Sequence, residues 1–133
     1  MQVLCDTSFL MVLVSKPIKQ VPKIESALGR LDFIVPDIVI EELERLAQKS
    51  GPKRATLAKT AVELTGAKFK QVKVGRAAHV DDAIVEYAMK NKCAVATIDT
   101  NLRRRLIANE VLVLTLSRDR FIVANPKVRP NNV

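Results

Sequence analysis

The chain has 133 residues, 48% of them hydrophobic and 27% charged, the length and balance of one globular domain with a real core. Its 22 lysines and arginines against 14 acids leave a net charge of +8, which serves solubility and also leans toward a polyanionic partner such as nucleic acid. Aromatics at 4%, with no tryptophan, disfavour a stacking platform for single-stranded nucleic acid and leave the core to Val, Leu, Ile and Ala.

Val3-Leu4-Cys5 reads as a first strand, ending at Asp6-Thr7-Ser8, and Phe9 to Val14 as a helix start packed on the sheet and broken near Lys16-Pro17. Helical spacing resumes at Ile18, Val21, Ile24, Ala27 and Leu28, with Gly29 as its stop. Phe33-Ile34-Val35 is a second strand, and Pro36-Asp37 opens a helix carrying Ile38, Val39, Leu43, Leu46 and Ala47. Ser50-Gly51-Pro52 closes it. The next helix, Arg54 to Leu64, turns Leu57, Ala58, Ala61 and Leu64 inward and is expected to end at Gly66. Phe69 to Val74 alternates apolar residues with Lys70 and Lys73, the pattern of a strand near a sheet edge. Gly75 to His79 is a loop, and Val80 to Met89 a helix burying Ala83, Ile84, Tyr87 and Ala88.

The small and β-branched run Ala94 to Asp99 reads as a strand buried on both faces, followed by a helix with Leu102, Leu106 and Ile107 on one side. Val111 to Leu114 is the next strand and Phe121-Ile122-Val123 a short last one. Residues 1–124 thus form one domain, and 125–133, with two prolines and three asparagines among them, a polar and mobile tail.

Strands alternating with helices predict parallel pairing through right-handed crossovers, a three-layer α/β/α sandwich around a central parallel sheet. Neither G-x-G-x-x-G nor the P-loop pattern occurs, so nucleotide-cofactor readings fall away. Cys5 and Cys93 are too few for a zinc site or disulfide framework and read as buried, reduced thiols. The absence of a leader or membrane-length apolar run points to the cytosol, with no membrane partner.

Acids recur where strands give way to helices. Glu41 and Glu42 start the helix after the second strand, and Asp81 and Asp82 the one after the third. The helix macrodipole accounts for most acids in such positions. Asp6 and Asp99 stand at strand ends, where an acid is either a helix cap or part of a site, and they are the harder pair to explain structurally. Acids converging on one rim repel unless a cation lies between them. All-oxygen ligation selects Mg²⁺ or Mn²⁺ over zinc, and in a basic chain without a nucleotide motif that donor set points to phosphodiester hydrolysis.

Asp6-Thr7-Ser8-Phe9-Leu10, Glu41-Glu42-Leu43-Glu44-Arg45-Leu46, Asp81-Asp82-Ala83-Ile84 and Thr97-Ile98-Asp99-Thr100-Asn101-Leu102 resemble, in order and spacing, the four acidic motifs of PIN-domain nucleases. The resemblance spans Val3 to about Leu114. It implies a sheet of order 3-2-1-4-5 and metal-dependent cleavage of single-stranded RNA. By motif match it makes Asp6, Glu42, Asp82 and Asp99 the catalytic carboxylates around the metal, with Ser8 and Thr97 as supporting hydroxyls and Asp81 as a helper or cap. Many members carry a further acid where Asn101 stands, which implies one metal held well and a second weakly.

Within the family, the Glu-Leu-Glu-Arg-Leu and Asp-Asp segments and the run Leu102 to Ile107 are most similar to PIN proteins of ribosomal RNA processing and their archaeal relatives. This implies an endoribonuclease acting on ribosomal precursor RNA. Toxin nucleases, which pair with an antitoxin protein, are the competing resemblance, and an inactive PIN-fold scaffold binding RNA or protein is the third reading. A homodimer is compatible with each. Arg103, Arg104 and Arg105 fan around their helix; with Lys49, Lys53, Arg54 and Arg76, which flank the acidic motifs, they are candidates for guiding an RNA backbone. His79 reads as a loop residue and Tyr87 as packing.

Overall fold

The apolar runs form strands Gln2–Cys5 (β1), Asp32–Pro36 (β2), Lys70–Val72 (β3), Ala94–Ala96 (β4), Val113–Ser117 (β5) and Arg120–Val123 (β6). Between them lie helices Thr7–Ser15 (α1), Val21–Leu28 (α2), Asp37–Lys49 (α3), Pro52–Lys68 (α4), Val80–Asn91 (α5) and Thr100–Ala108 (α6). This computed structural model describes residues 1–16, 21–75, 79–117 and 120–125. The expected helical residue Ile18, most of the Gly75 to His79 loop including Arg76, and residues 126–133 of the tail lie outside the described residues.

The sheet order is β3-β2-β1-β4-β5-β6, and every pairing is parallel except that of β5 with β6. This is the expected 3-2-1-4-5 sheet with one antiparallel strand added at its edge. Val3, Leu4 and Cys5 are all buried, as are Ala94, Val95 and Ala96. Successive strand residues face opposite sides of a sheet, so both faces of these central strands are covered and the architecture has three layers. Leu4 lies opposite Val95 and Cys5 opposite Ala96, which brings the carboxyl ends of β1 and β4 level.

Several boundaries differ from the sequence expectation. Gly66 does not end α4, which runs on until the Phe69 N–H closes onto Thr65 O at 3.1 Å. The strand expected over residues 94–99 stops at Ala96, and the one expected at Val111 starts at Val113, because the Val111 N–H is spent on Leu106 O at the end of α6. Ile107 is 38% exposed rather than inward. It lies five residues after Leu102, about 140° further around the helix. Gly29 does end α2, in the left-handed conformation at φ +91° that suits glycine.

Scarce aromatics do not leave the core purely aliphatic. Phe9, Phe33, Phe69 and Phe121 form one cluster, with centroid separations of 5.6 Å for Phe9–Phe121 and 5.7 Å for Phe33–Phe69. It ties α1, β2, the end of α4 and β6 together. Asn125, assigned to the tail, is anchored: its side chain accepts from the Val113 N–H and donates to Val111 O, both at 2.8 Å. Cys5 and Cys93 are free and buried. Among the described residues, no helix is long and apolar enough to cross a membrane.

Candidate active site

The chain leaves β1 toward β2 and leaves β4 toward β5, although β1 and β4 are neighbours. In open α/β sheets a crevice forms beyond the carboxyl ends of strands at such a switch. Each strand is followed by an aspartate that caps the next helix. Asp6 accepts from the Phe9 N–H and Asp99 from the Leu102 N–H, both at 2.9 Å. Of the two readings open to these strand-end acids, cap or site, the cap holds for both. Their claim on a site rests on their surroundings.

Around Asp6 those surroundings are specific. Ser8 Oγ donates to the two carboxylate oxygens, at 2.9 and 3.0 Å, and Thr97 Oγ1 donates to Oδ2 at 2.5 Å. Each hydroxyl in turn accepts a backbone N–H from the segment after β4: Ile98 to Ser8 at 3.2 Å, Asp99 to Thr97 at 3.0 Å. A hydroxyl that accepts from a backbone N–H keeps its own proton for the carboxylate, so both are fixed as donors to Asp6. These bonds lower the Asp6 pKa, but burial outweighs them. Asp6 is 5% exposed, and burial pushes its pKa up to about 6, against the Thr97, Phe9 and Ser8 hydrogen bonds and with a small further push from Asp81.

The crevice has a volume of about 640 Å³. Asp6, Thr7 and Ser8 line it from the β1–α1 junction, Glu42 and Arg45 from α3, Arg54 from α4, Asp81 from α5, and Asp99 from the cap of α6. Burial raises the Asp81 pKa; Asp99 adds to the rise, Arg105 opposes it, and Glu42 and Asp82 add lesser pushes. The carboxylates therefore feel one another across the crevice. Among the described residues, however, no three Asp, Glu, His or Cys side chains converge closely enough to hold one metal ion between them. The expected convergence of acids is thus a shared crevice rather than a preformed ligand cage. Thr7 Oγ1 is buried here without a hydrogen-bond partner among the described residues.

A family model described as a PIN like domain matches residues 3–120. The chain belongs to the PIN-like domain family. Among solved structures, a PIN domain endonuclease, Utp24, aligns with a TM-score of 0.71 at 22% identity, covering 92% of this chain and 90% of its own. A domain of a functionally unknown protein from Methanocaldococcus jannaschii DSM 2661 aligns with a TM-score of 0.59 at 17% identity, covering 87% and 91%. At these identities the two structures speak to the fold. No curated protein matches the sequence.

In this PIN-like domain Asp6, Glu42 and Asp99 reach the crevice as the sequence suggested, and Ser8 and Thr97 support Asp6. The aspartate pair is arranged differently from expectation. Asp81 lines the crevice, while Asp82 lies outside its lining and pairs with Arg105 Nη2 at 2.8 Å. Neighbours on a helix point about 100° apart, so one of the pair faces the crevice and the other does not. Of the basic candidates, Arg54 lines the crevice, while Arg105 stays outside the lining, paired with Asp82 and close enough to oppose the rise in the Asp81 pKa. Lys49, Lys53 and Arg104 are exposed, and neither these nor the half-buried Arg103 line it. Asn101 is likewise exposed and outside the lining. The sequence reading passed over Arg45 and Thr7. Arg45 had a readable signal, since it lies three residues after Glu42 and shares its helix face.

Proposed function

We propose that this PIN-like chain is a metal-dependent endoribonuclease that cleaves single-stranded RNA, with ribosomal precursor RNA as its substrate. The observation that carries the reading is Asp6, buried and fixed by three donors at the switch between β1 and β4, in one crevice with Glu42, Asp81 and Asp99. The fold shared with an endonuclease agrees with it, as does the +8 charge.

The donors fit Mg²⁺ or Mn²⁺. They are hard oxygens, without His or Cys, and they include the unpartnered Thr7 hydroxyl. Mg²⁺ keeps several waters and takes one or two carboxylates directly, so a crevice without three converged acids suits it. Asp6, Glu42, Asp81 and Asp99 would hold the ion, which when bound supplies Lewis acidity toward phosphate oxygens and water. The chain itself does the positioning. Ser8 and Thr97 aim the Asp6 carboxylate, Arg45 and Arg54 present guanidinium forks to the RNA backbone, and Arg105 holds Asp82 outside the lining.

Incubation with labelled single-stranded RNA should give cleavage with Mn²⁺, none with EDTA and none in Asp6→Asn. Cleavage that survives EDTA or that substitution would reject the metal reading. The second reading is a scaffold that uses the same basic chain to bind RNA without cutting it. Binding without cleavage of any RNA would establish that instead.

A further inference from the structure

One helical turn beyond the acids the lining of the crevice changes character. Met11 and Val12 lie five and six residues after Asp6 along α1, and Leu46 lies four residues after Glu42 along α3, displacements of about 6–9 Å along the helix axes. With Leu57 of α4 they line the crevice, and all four are half-buried. Among the described residues Met11 packs against the core cluster, whereas Val12, Leu46 and Leu57 do not belong to it. Their periodicity reads as inward-facing, yet their apolar surface borders the crevice. Arg45 and Arg54 line the same space, and the ion pairs among the described residues, Arg30–Asp32 and Arg105–Asp82, engage neither guanidinium. At about 640 Å³ the crevice falls within the range of about 300–1,000 Å³ typical of small-molecule sites, more than a phosphate and a hydrated ion need.

We propose that this apolar end is a nucleobase subsite. One unpaired nucleotide of the substrate lays its base against Met11, Val12, Leu46 and Leu57, while Arg45 and Arg54 hold the adjoining phosphate beside the acids. The proposal takes its ligand from the nuclease reading above. A ribose separates base from phosphate much as one helical turn separates the apolar residues from the carboxylates. Every base offers an apolar face, so aliphatic and thioether contacts accept any of the four. Planar guanidinium groups match phosphate oxygens two at a time. A base still stacked in a duplex cannot enter, which makes an unpaired strand a requirement of the site rather than of the chemistry.

The chain's three methionines allow a direct test, because Met11 lines the crevice and Met1 and Met89 do not. The full chain, labelled with ¹³C at its methionine methyls, is titrated with nucleoside 5′-monophosphates and with ribose 5-phosphate, in EDTA and again with Ca²⁺. The monophosphates should move the Met11 methyl signal upfield through the ring current of the base and leave Met1 and Met89 in place. Ribose 5-phosphate should not produce that shift. Arg45→Ala, at an exposed position, should weaken the titration about tenfold without lowering the melting temperature. A Met11 signal that stays still under both conditions, or that moves equally with ribose 5-phosphate, would overturn the subsite. The readout does not depend on cleavage. Movement of Met11 in a protein that cuts no RNA would keep the subsite and reject the nuclease, whereas cleavage with Met11 unmoved would keep the nuclease and reject the subsite.

Discussion

Asp6 and Asp99 follow adjacent parallel strands and cap their helices with the same 2.9 Å bond to the N–H three residues on. Their segments even share a pattern, Asp-Thr-Ser-Phe against Asp-Thr-Asn-Leu. What separates them is burial. Asp99 is exposed, whereas Asp6 is 5% exposed between two hydroxyls, with its pKa pushed up from 3.8 to about 6. That rise corresponds to roughly 3 kcal/mol against the ionised carboxylate, more than the roughly 1 kcal/mol typical of an N-cap. Asparagine or serine would cap α1 without burying a charge. The cap therefore explains why position 6 is polar, but not why it is an acid; the cation of the proposed function would account for the acid.

Substituting the two aspartates should split activity from stability. Asp6→Asn and Asp99→Asn are both expected to lose Mn²⁺-dependent cleavage, the largest effect foreseen. In EDTA they should diverge. The folded-state pKa of Asp6 lies above its unfolded value, so between pH 3.8 and about 6 the native state binds the extra proton and stability falls as pH rises. The penalty is absent below that window and complete above it. Urea denaturation should show the wild type losing up to about 3 kcal/mol between pH 4 and pH 7, a loss that Asp6→Asn should lack. Asp99→Asn keeps an equally good cap and should stay within about 0.5 kcal/mol of the wild type throughout.

The next effect decides between Asp81 and Asp82. An ion bound only by the native state stabilises by about 2.7 kcal/mol at a hundred times its dissociation constant. Thermal melts with Mn²⁺ against EDTA should show that gain in the wild type and in Asp82→Asn, but not in Asp81→Asn. Asp82→Asn itself gives up only a partly exposed pair with Arg105, about 0–1 kcal/mol at most. A gain lost in Asp82→Asn and kept in Asp81→Asn would restore the assignment that motif spacing alone suggests.

Smaller still should be the loss of the hydroxyls. Ser8→Ala or Thr97→Val leaves the Asp6 cap bond to Phe9 in place and removes one donor each. Cleavage should fall about 10- to 100-fold, as is typical when the group orienting a metal ligand is lost. Each donor lowers the Asp6 pKa, so its removal should also shift the acid limb of the pH–rate profile to higher pH.

The layers were legible because consecutive apolar triplets such as Val3-Leu4-Cys5 and Ala94-Val95-Ala96 admit little else than strands buried on both faces, whereas the order of the first five strands was legible only through resemblance. The hydroxyls at Ser8 and Thr97 were legible only through resemblance, since nothing in spacing says that residues 89 positions apart share a carboxylate. The choice between Asp81 and Asp82 turns on helix rotation, which adjacent acids do not reveal. The apolar end of the crevice was misread for a related reason. Leu46 and Leu57 have the periodicity of core residues, and periodicity cannot tell a face packed on the core from one lining a cleft.

The smallest effect should come from Asn101, the counterpart of Ser8 in the matched segments, two residues after its capping aspartate. Ser8 turns its hydroxyl onto Asp6, whereas Asn101 is exposed and forms no side-chain hydrogen bond among the described residues. Asn101→Asp places a charge at the second residue of α6, where the helix terminus favours an anion by about 0.3–1 kcal/mol. Repulsion from the neighbouring Asp99 carboxylate opposes that gain. The net change in EDTA should be about 0.5 kcal/mol or less, with cleavage and the Mn²⁺-dependent stabilisation unchanged, because the side chain does not line the crevice. A clear increase in Mn²⁺ stabilisation would show instead that the ion sits toward α6. It would then be Asp99, with a second carboxylate beside it, that governs binding, and the buried Asp6 that plays the lesser part.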